Sequence, residues 1–369
     1  MKATVVTYSD EFAKSEAEGL VKAAGYSVQE VIALKQIVKS EFGVGVGKAQ
    51  ELAEVVSGNG SDTLIVDESL TAAQANNLAK ATQVEVIDRE RLILNIFALR
   101  AATTQAKLQV QLAELRYELP RTKDAVRNSA AGERAGFMGM GELAVDVKFK
   151  ALKRRMVTVR EKLAKAETNR SVQRKERMKL GEPLVSLAGY TSSGKTTIFN
   201  RLASESKEES PKLFTTLATT TRAVTLPGTK RKIMLSDTVG FISRLPTYLV
   251  ESFKSTLEEL SYADLVLLIL DVSESAESVE VKLRSCRDTL QELEVDPKKI
   301  LLVLNKVDLL PRGIRTTGLE GLLGGLTSVS ISATRGDGMR QLRNQILVRT
   351  READSRMAAG RRRQTYPKA

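Results

Sequence analysis

Histidine and tryptophan are absent from this chain of 369 residues, and cysteine occurs once, at Cys286. A single thiol cannot build a disulfide framework, and without histidine the Cys/His zinc sites are excluded. Cys286 reads simply as a helix residue. Long apolar runs are also missing. The longest, Leu265–Leu270, is far too short to span a bilayer. Asp10 and Glu11 place charge where a secretory signal would need its apolar core, so a cytoplasmic location is expected. No solenoid repeat is visible.

The composition that remains is that of a globular chain, 42% hydrophobic and 28% charged, long enough for two or three domains. Net charge is +12 and unevenly placed. Lys148 to Lys179 holds thirteen Lys/Arg against three Glu, a net +10 that leaves little for the rest. Charge concentrated in this way suits a polyanion, although a solvated helix face gives the same pattern. Arg361-Arg362-Arg363 and Lys368 form a second basic cluster in residues 351–369, expected to be a disordered tail.

The chemistry is written most densely at Gly189-Tyr190-Thr191-Ser192-Ser193-Gly194-Lys195-Thr196, followed by Thr197 and preceded by the strand-like Leu184–Ala188. This is a strand running into G-x-x-x-x-G-K-[ST]. Such a loop turns backbone N–H groups toward phosphate oxygens, and its lysine reaches the β- and γ-phosphates. The Thr196 hydroxyl is suited to Mg²⁺. Asp237-Thr238-Val239-Gly240 follows the strand Ile233–Leu235. There a carboxylate can hold Mg²⁺ through water, and the Gly240 N–H can meet a γ-phosphate without Cβ interference. Asn305-Lys306-Val307-Asp308 closes the strand Ile300–Leu304. Asp308 can accept from guanine N1–H and the 2-amino group, which adenine cannot offer. A site built for such bonds rejects the analogue lacking them by up to ~10⁴–10⁵. Ser332-Ala333-Thr334, after the strand Ser328–Ile331, can offer a backbone N–H to guanine O6. With Leu265–Asp271, these short apolar runs alternate with helix signals over 181–350. That predicts a mostly parallel sheet with ligands at the carboxyl ends of its strands. GTP as substrate, GDP as product and Mg²⁺ as the only metal follow.

Between Thr196 and Asp237 lies the Thr-rich Leu213–Arg222, expected to be mobile. One threonine should complete the Mg²⁺ shell, and spacing does not choose between Thr216 and Thr220. Phe241 stands where many regulatory GTPases carry a water-orienting Gln. It can neither donate nor accept, so slow intrinsic hydrolysis is expected, raised by a partner by ~10³–10⁵-fold. Arg222 and Arg244 lie in the segments expected to move and are candidates to stabilise charge.

Residues 1–88 alternate strand signals (Thr4–Thr7, Val28–Ala33, Leu64–Val66, Val84–Ile87) with helices over Asp10–Ala24 and Thr71–Thr82, predicting a small, mostly parallel α/β domain. Ser9 or Asp10 could cap the first helix. Gly43-Val44-Gly45-Val46-Gly47-Lys48 is a poor phosphate loop. Phe42 occupies the first glycine position and Ala49 the hydroxyl position, so a turn into a helix near Ala49–Val56 is the reading. Residues 89–180 read as a long antiparallel helical hairpin. One long helix runs from Arg89 to Pro120 with Leu108, Leu112, Leu115 and Leu119 in its seam. A second carries Phe149, Leu152, Met156, Val159, Leu163 and Ala166. Its tip is expected at about 121–141, and a linker at Arg174–Glu182. The outer face of the second helix holds Lys148, Lys150, Lys153, Arg154 and Arg155, candidates for contact with a polyanion.

The chain resembles the HflX family of translational GTPases over nearly its whole length. In one half the resemblance rests on Gly189–Thr196, Leu213–Leu217 with Arg222, Asp237 to Ile242, Leu245-Pro246 and Asn305–Asp308. In the other it rests on Asp67-Glu68, Asp88-Arg89, Leu94–Ala98, Lys107–Val110 and Leu119-Pro120-Arg121. It implies Thr216 as the Mg²⁺ threonine, with Phe214, Thr215, Thr216, Leu217 and Ala218 lining the nucleotide. It assigns Lys195, Thr216, Gly240 and Phe241 to the catalytic centre. It also implies RNA as the polyanion, and a monomer that binds the large ribosomal subunit and dissociates or rescues ribosomes. An assembly checkpoint acting on RNA, or a nucleotide-gated adaptor for a protein, are the other outputs these motifs allow. The chain departs from the family pattern at Ala218-Thr219, at Ser192-Ser193 and at Gly139 to Leu143.

Overall fold

Valine, isoleucine and threonine runs bounded by helix caps organise the first 88 residues. The computed structural model describes residues 1–37, 40–132, 140–203, 214, 220–226, 231–310 and 325–365. Side chains are described for all of these except 125–132, 140–145, 168–180, 254–256 and 353–365. The chain divides into two compact units, Met1–Ala166 and Glu167–Ala369.

The first unit contains a four-stranded parallel sheet in the order β2-β1-β3-β4, formed by β1 (Lys2–Tyr8), β2 (Ser27–Leu34), β3 (Thr63–Val66) and β4 (Glu85–Asp88). Inner strands β1 and β3 are almost wholly buried, whereas edge strand β2 is largely exposed. This is the burial that parallel crossovers impose on a sheet. Helices α1 (Glu11–Ala23), α2 (Val46–Asn59) and α3 (Ala72–Thr82) connect the strands. Asp10 caps α1 by accepting from Ala13 N–H at 2.8 Å, and Thr71 with Gln74 forms a capping box on α3. Gly43 to Gly45 form the turn that leads into α2, with Gly45 at its N-cap and Gly47 already in the first turn of the helix.

The single helix expected from Arg89 to Pro120 is two helices, α4 (Arg89–Arg100) and α5 (Thr104–Gly132). Ala101 leaves helical geometry, and the Thr103 hydroxyl restarts the helix by accepting from Ala106 N–H at 3.1 Å. Hydrophobic periodicity cannot show such a break, because both sides have the same period. Pro120 lies inside α5, and the helix α6 (Met140–Leu180) begins earlier than the expected tip allowed. Helix therefore covers much of 121–141, and 133–139 lie outside the described residues. The expected linker from Arg174 is also helical up to Leu180, and Gly181 then turns with φ +68°. The hairpin seam matches the reading: Leu112 and Leu115 pack against Leu152, Met156 and Val159, flanked by Leu108, Leu119 and Leu163.

The second unit carries a six-stranded sheet in the order β10-β9-β8-β5-β7-β6, made of β5 (Leu184–Gly189), β6 (Thr220–Thr225), β7 (Lys232–Asp237), β8 (Leu265–Asp271), β9 (Ile300–Asn305) and β10 (Ser328–Ser330). All neighbours are parallel except β6 on β7. Strand β6 differs from the mobile loop expected at Thr220–Arg222. Its alternating Thr, Arg and Ala carry no apolar run, and its strand character comes from pairing along β7, Thr220 opposite Asp237. Helices α7 (Lys195–Ala203), α8 (Thr247–Ser252), α9 (Lys254–Tyr262), α10 (Ala276–Glu292) and α11 (Met339–Thr365) complete the unit. The core is apolar throughout, with Leu187, Phe199, Leu235, Ile269, Val303 and Leu342 at its centre. Helix α11 continues through 351–365, where the sequence suggested a disordered tail. Among the described residues no helix is long and apolar enough to cross a membrane.

Candidate nucleotide site

Three loops meet at the carboxyl ends of β5, β7 and β9. The first leaves β5 at Gly189, whose φ of +147° and close approach exclude a side chain: a Cβ there would lie 2.3 Å from Ile269 O on β8. Ser192 at φ +61° and Gly194 at φ +95° bend the loop into α7. A Cβ on Gly194 would stand 2.2 Å from Asn305 Nδ2, so β9 requires that glycine as much as the loop does. Thr191 and Ser193 are buried, and Lys195, Thr196 and Thr197 form the first turn of α7. The amino end of that helix favours negative charge.

Lys195 folds back over the loop. Its Nζ donates to Gly189 O at 3.1 Å and Tyr190 O at 2.8 Å. Burial pushes its pKa down to about 8, with Asp237 partly opposing the fall. Asp237 is fully buried at the end of β7, and its Oδ2 lies 3.2 Å from the Thr196 hydroxyl. Thr238 is also buried and donates to Leu187 O at 2.6 Å, which ties this second loop to β5. Val239 is buried beside it. Gly240 faces the first loop so closely that a Cβ would meet Thr191 Cγ2 at 2.8 Å and Lys195 Nζ at 3.0 Å. Phe241 is buried, and its N–H donates to Gly189 O at 3.0 Å.

The third loop is cross-braced. Asn305 Nδ2 donates to Ser193 O at 2.9 Å, and its Oδ1 accepts from Ala333 N–H at 3.0 Å. One side chain thus holds the phosphate-type loop and the Ser332-Ala333-Thr334 turn in register. Lys306 adopts a left-handed φ of +66° and pairs with Asp271. Val307 N–H donates to Ile331 O at 3.3 Å. Asp308 is nearly buried, and its Oδ1 has no hydrogen-bond partner among the described residues. The Ser332 hydroxyl pulls its carboxyl below the usual carboxylate range, and the Arg335 guanidinium 3.8 Å away acts in the same direction. The Ser332 and Thr334 hydroxyls lie 3.2 Å apart.

Two residues at this edge went unnoticed in the sequence. Asp271 ends the otherwise apolar β8 and anchors Lys306; a carboxylate closing a buried strand at the ligand edge is the signal that could have found it. Arg335, directly after Thr334, had no such signal. Phe214 is buried, whereas Thr215, Thr216, Leu217 and Ala218 fall outside the described residues. Thr220 itself is the first residue of β6. Cys286 is fully buried in α10, and burial pushes its thiol up to about 12, so it is chemically quiet.

In the first unit, Lys148, Lys150, Lys153, Arg154 and Arg155 are exposed on α6. Lys150 pairs with Asp146 at 2.6 Å, and Lys153 stands 4.6 Å over the Phe149 ring.

Comparison with known proteins agrees with this arrangement. Family models described as GTP-binding GTPase N-terminal, GTP-binding GTPase Middle Region and 50S ribosome-binding GTPase match residues 12–98, 100–177 and 184–306. The chain is 44% identical to GTPase HflX of Thermococcus kodakarensis over 301 residues, which is 82% of this chain and 68% of that protein. It is 39% identical to GTPase HflX of Methanocaldococcus jannaschii over 320 residues, 86% of this chain and 78% of the relative. A crystal structure of SsGBP in complex with GDP, 28% identical, superposes with a TM-score of 0.54 over 95% of this chain and 99% of its own. With a phosphate-loop GTPase domain built on this sheet and relatives of this similarity along most of its length, the chain is a GTP-hydrolysing enzyme and belongs to the HflX family of GTPases.

Proposed function

We propose that this GTPase works with Mg²⁺ and that its N-terminal half, 1–88 and the hairpin 89–180, directs it to the large ribosomal subunit. The observation that carries the catalytic part is the buried Asp237 carboxylate set 3.2 Å from the Thr196 hydroxyl, beside a buried lysine. A fully buried carboxylate next to a hydroxyl oxygen is an oxygen-donor set of the kind a small hard cation takes. Thr196 would ligate Mg²⁺ directly, Asp237 through water, and Thr216 would complete the set. When bound, the ion would neutralise charge between the β- and γ-phosphates.

The chain's own residues do the rest. The loop from Gly189 to Gly194 and the first amides of α7 hold the phosphates, and Lys195 offers its ammonium to oxygens of the β- and γ-phosphates, on either side of the phosphorus–oxygen bond that breaks. Gly240 presents its N–H to the γ-phosphate. Asp308, with one buried oxygen lacking a partner among the described residues, accepts from the guanine edge, and the Ala333–Thr334 turn donates to O6. Phe241 offers water no hydrogen bond, so the intrinsic rate is slow and a partner supplies the missing orientation. Hydrolysis ends the γ-phosphate contacts, relaxes the segments around Thr216 and Gly240, and releases the partner.

Five exposed Lys/Arg from Lys148 to Arg155 on one helix support an rRNA contact, and so does the description of the family model matched over 184–306. The protein would act as a cytoplasmic monomer that separates or rescues ribosomes. The test is GTP turnover with and without purified large subunits at two salt concentrations. Strong, salt-sensitive stimulation is expected. Unstimulated turnover with GTP still bound would overturn the ribosomal part and leave the GTPase standing. Neutralising Lys153, Arg154 and Arg155 should weaken subunit binding and flatten its salt dependence.

A further inference from the structure

Patterning alone reads the stretch after Gly240 as a segment that moves, yet four backbone groups within Phe241–Ser243 are held. Phe241 N–H donates to Gly189 O at 3.0 Å, and Phe241 O accepts from Thr191 N–H at 2.8 Å. Ile242 O accepts from the Ser285 hydroxyl of α10 at 3.1 Å. Ser243 N–H donates to the Tyr190 phenolic oxygen at 2.6 Å. The first two bonds are main chain to main chain and independent of side-chain identity. The other two depend on Ser285 and Tyr190.

Tyr190 occupies a free position of G-x-x-x-x-G-K-[ST], and phosphate binding asks for no aromatic ring there. Its ring is 3% exposed, with Lys282 Nζ 5.0 Å from the ring centroid, and Lys282 is itself paired with Glu274 at 2.5 Å. A buried phenol needs a partner for its oxygen, and this one finds it in the Ser243 backbone. Through its carbonyl the same residue accepts from Lys195 Nζ at 2.8 Å. Tyr190 therefore touches the phosphate-loop lysine at one end and the segment beyond Gly240 at the other. Between those ends sits Gly240, packed so tightly on Thr191 and Lys195 that no Cβ fits.

We infer that Tyr190 is a positioning residue for GTP hydrolysis, a rigid strut whose hydroxyl holds the Gly240–Ser243 segment on the phosphate loop and presents the Gly240 N–H beside Lys195. It acts through Ser243 and Gly240 and makes no side-chain contact with nucleotide. The inference rests on the reading of Gly240 as the γ-phosphate sensor. Donors that are already aimed before reaction cost no reorganisation during it, which is the value of such a strut. Its effect falls on GTP and spares GDP, because only GTP carries the phosphate that Gly240 meets.

Tyr190→Phe keeps the ring and removes one oxygen. Affinity for a non-hydrolysable GTP analogue should fall roughly 2- to 10-fold more than affinity for GDP, and kcat should fall at least as far, the range a lost neutral hydrogen bond allows. Ser285→Ala removes the other tether, and the double variant should show non-additive loss, since both act on one segment. An analogue-to-GDP affinity ratio and kcat within about twofold of the parent would overturn the inference, as would equal loss of both nucleotides. Gly240→Ala separates the two readings. If it too leaves the ratio unchanged, the sensor assignment fails; if it alone changes the ratio, the strut fails. Amide exchange of the unaltered protein gives a measurement free of folding defects. The Ser243 N–H should be protected with the analogue bound, and exchange at the rate of an open loop would overturn the strut.

Discussion

Buried charge is handled in opposite ways in the two units. In the first, Arg89 is 3% exposed between Asp67 and Glu16, and each partner is also buried. Burial opposes its charge, but the two carboxylates outweigh that and push its pKa above the ordinary arginine value. Nearby, Arg121 bonds Asp88 and Leu70 O and lies 3.8 Å over the Tyr117 ring. Tyr117 donates to Asp88 at 3.0 Å, and burial, followed by Asp88, drives its phenol well above its usual range. In the second unit Lys195 is as deeply placed, yet its direct partners are two neutral carbonyls, and burial wins. A buried charge matched by side chains of the same chain is a structural joint. A buried lysine whose hydrogen-bond partners among the described residues are carbonyls is less completely compensated, which suits it to an anionic ligand. The comparison also gives Asp67, Asp88, Arg89 and Arg121 a structural part in the fold of the first unit. Arg89 at the start of α4 is held by Asp67 and by Glu16 of α1, and Arg121 joins α5 to Asp88 at the end of β4.

The sharpest way to break that contrast is Arg89→Met. It strands two buried carboxylates and should cost about 3–5 kcal/mol of stability, read by urea unfolding. A loss below about 1 kcal/mol would mean the joint is not structural. Lys195→Ala should do the reverse. Stability should hold, while GTP turnover falls ~10²–10³-fold, the value of one well-aimed donor to developing charge. Comparable loss of stability and turnover would erase the distinction.

Asp308→Asn should come next. Exchanging the acceptor for an amide removes a charge-assisted bond and turns a donor toward the guanine donors. GTP affinity should fall by roughly 10- to 10²-fold, with a relative gain for xanthine nucleotides, measured by competition. Preserved guanine preference would place base recognition elsewhere.

A smaller effect is expected from pH. In the free protein Lys195 loses its proton near 8, below its unfolded value, so the unfolded chain holds more protons above that pH and stability rises with pH there. Bound phosphates favour the ammonium and raise the pKa. GDP binding should therefore take up a proton above pH ~8 and weaken by at most about tenfold per pH unit. Calorimetry in buffers of different ionisation enthalpy reads the proton directly, and no uptake at pH 9 would contradict the assignment. The smallest change expected is Tyr117→Phe, about 1 kcal/mol in unfolding with GTP turnover unaltered.

Most of the GTPase sheet was legible before any coordinates. Strands β5, β8 and β9 are largely apolar runs, and a buried parallel strand has little freedom to look otherwise. Strand β6 was not legible, because an edge strand of Thr, Arg and Ala owes its conformation to β7. The hairpin seam was readable from leucine spacing. The break at Ala101 was not, since a change of helix direction leaves the period on each side intact. The phosphate-type loop, the Asp237–Gly240 segment and Asn305–Asp308 were found as local strings. Asp271 and the Ser285 tether were not, because their meaning depends on residues far along the chain.

By itself the sequence determined the reaction class. Phosphate, metal and guanine recognition each need particular atoms at short spacing, and such spacing survives in one dimension. The tertiary structure decided which charges are joints and which form a site. Desolvation depends on what surrounds a group in space, and a string of residues does not record that. Lys195 and Arg89 are both cations at the start of a helix, and the partners that folding brings to each decide how far its charge is compensated within the chain.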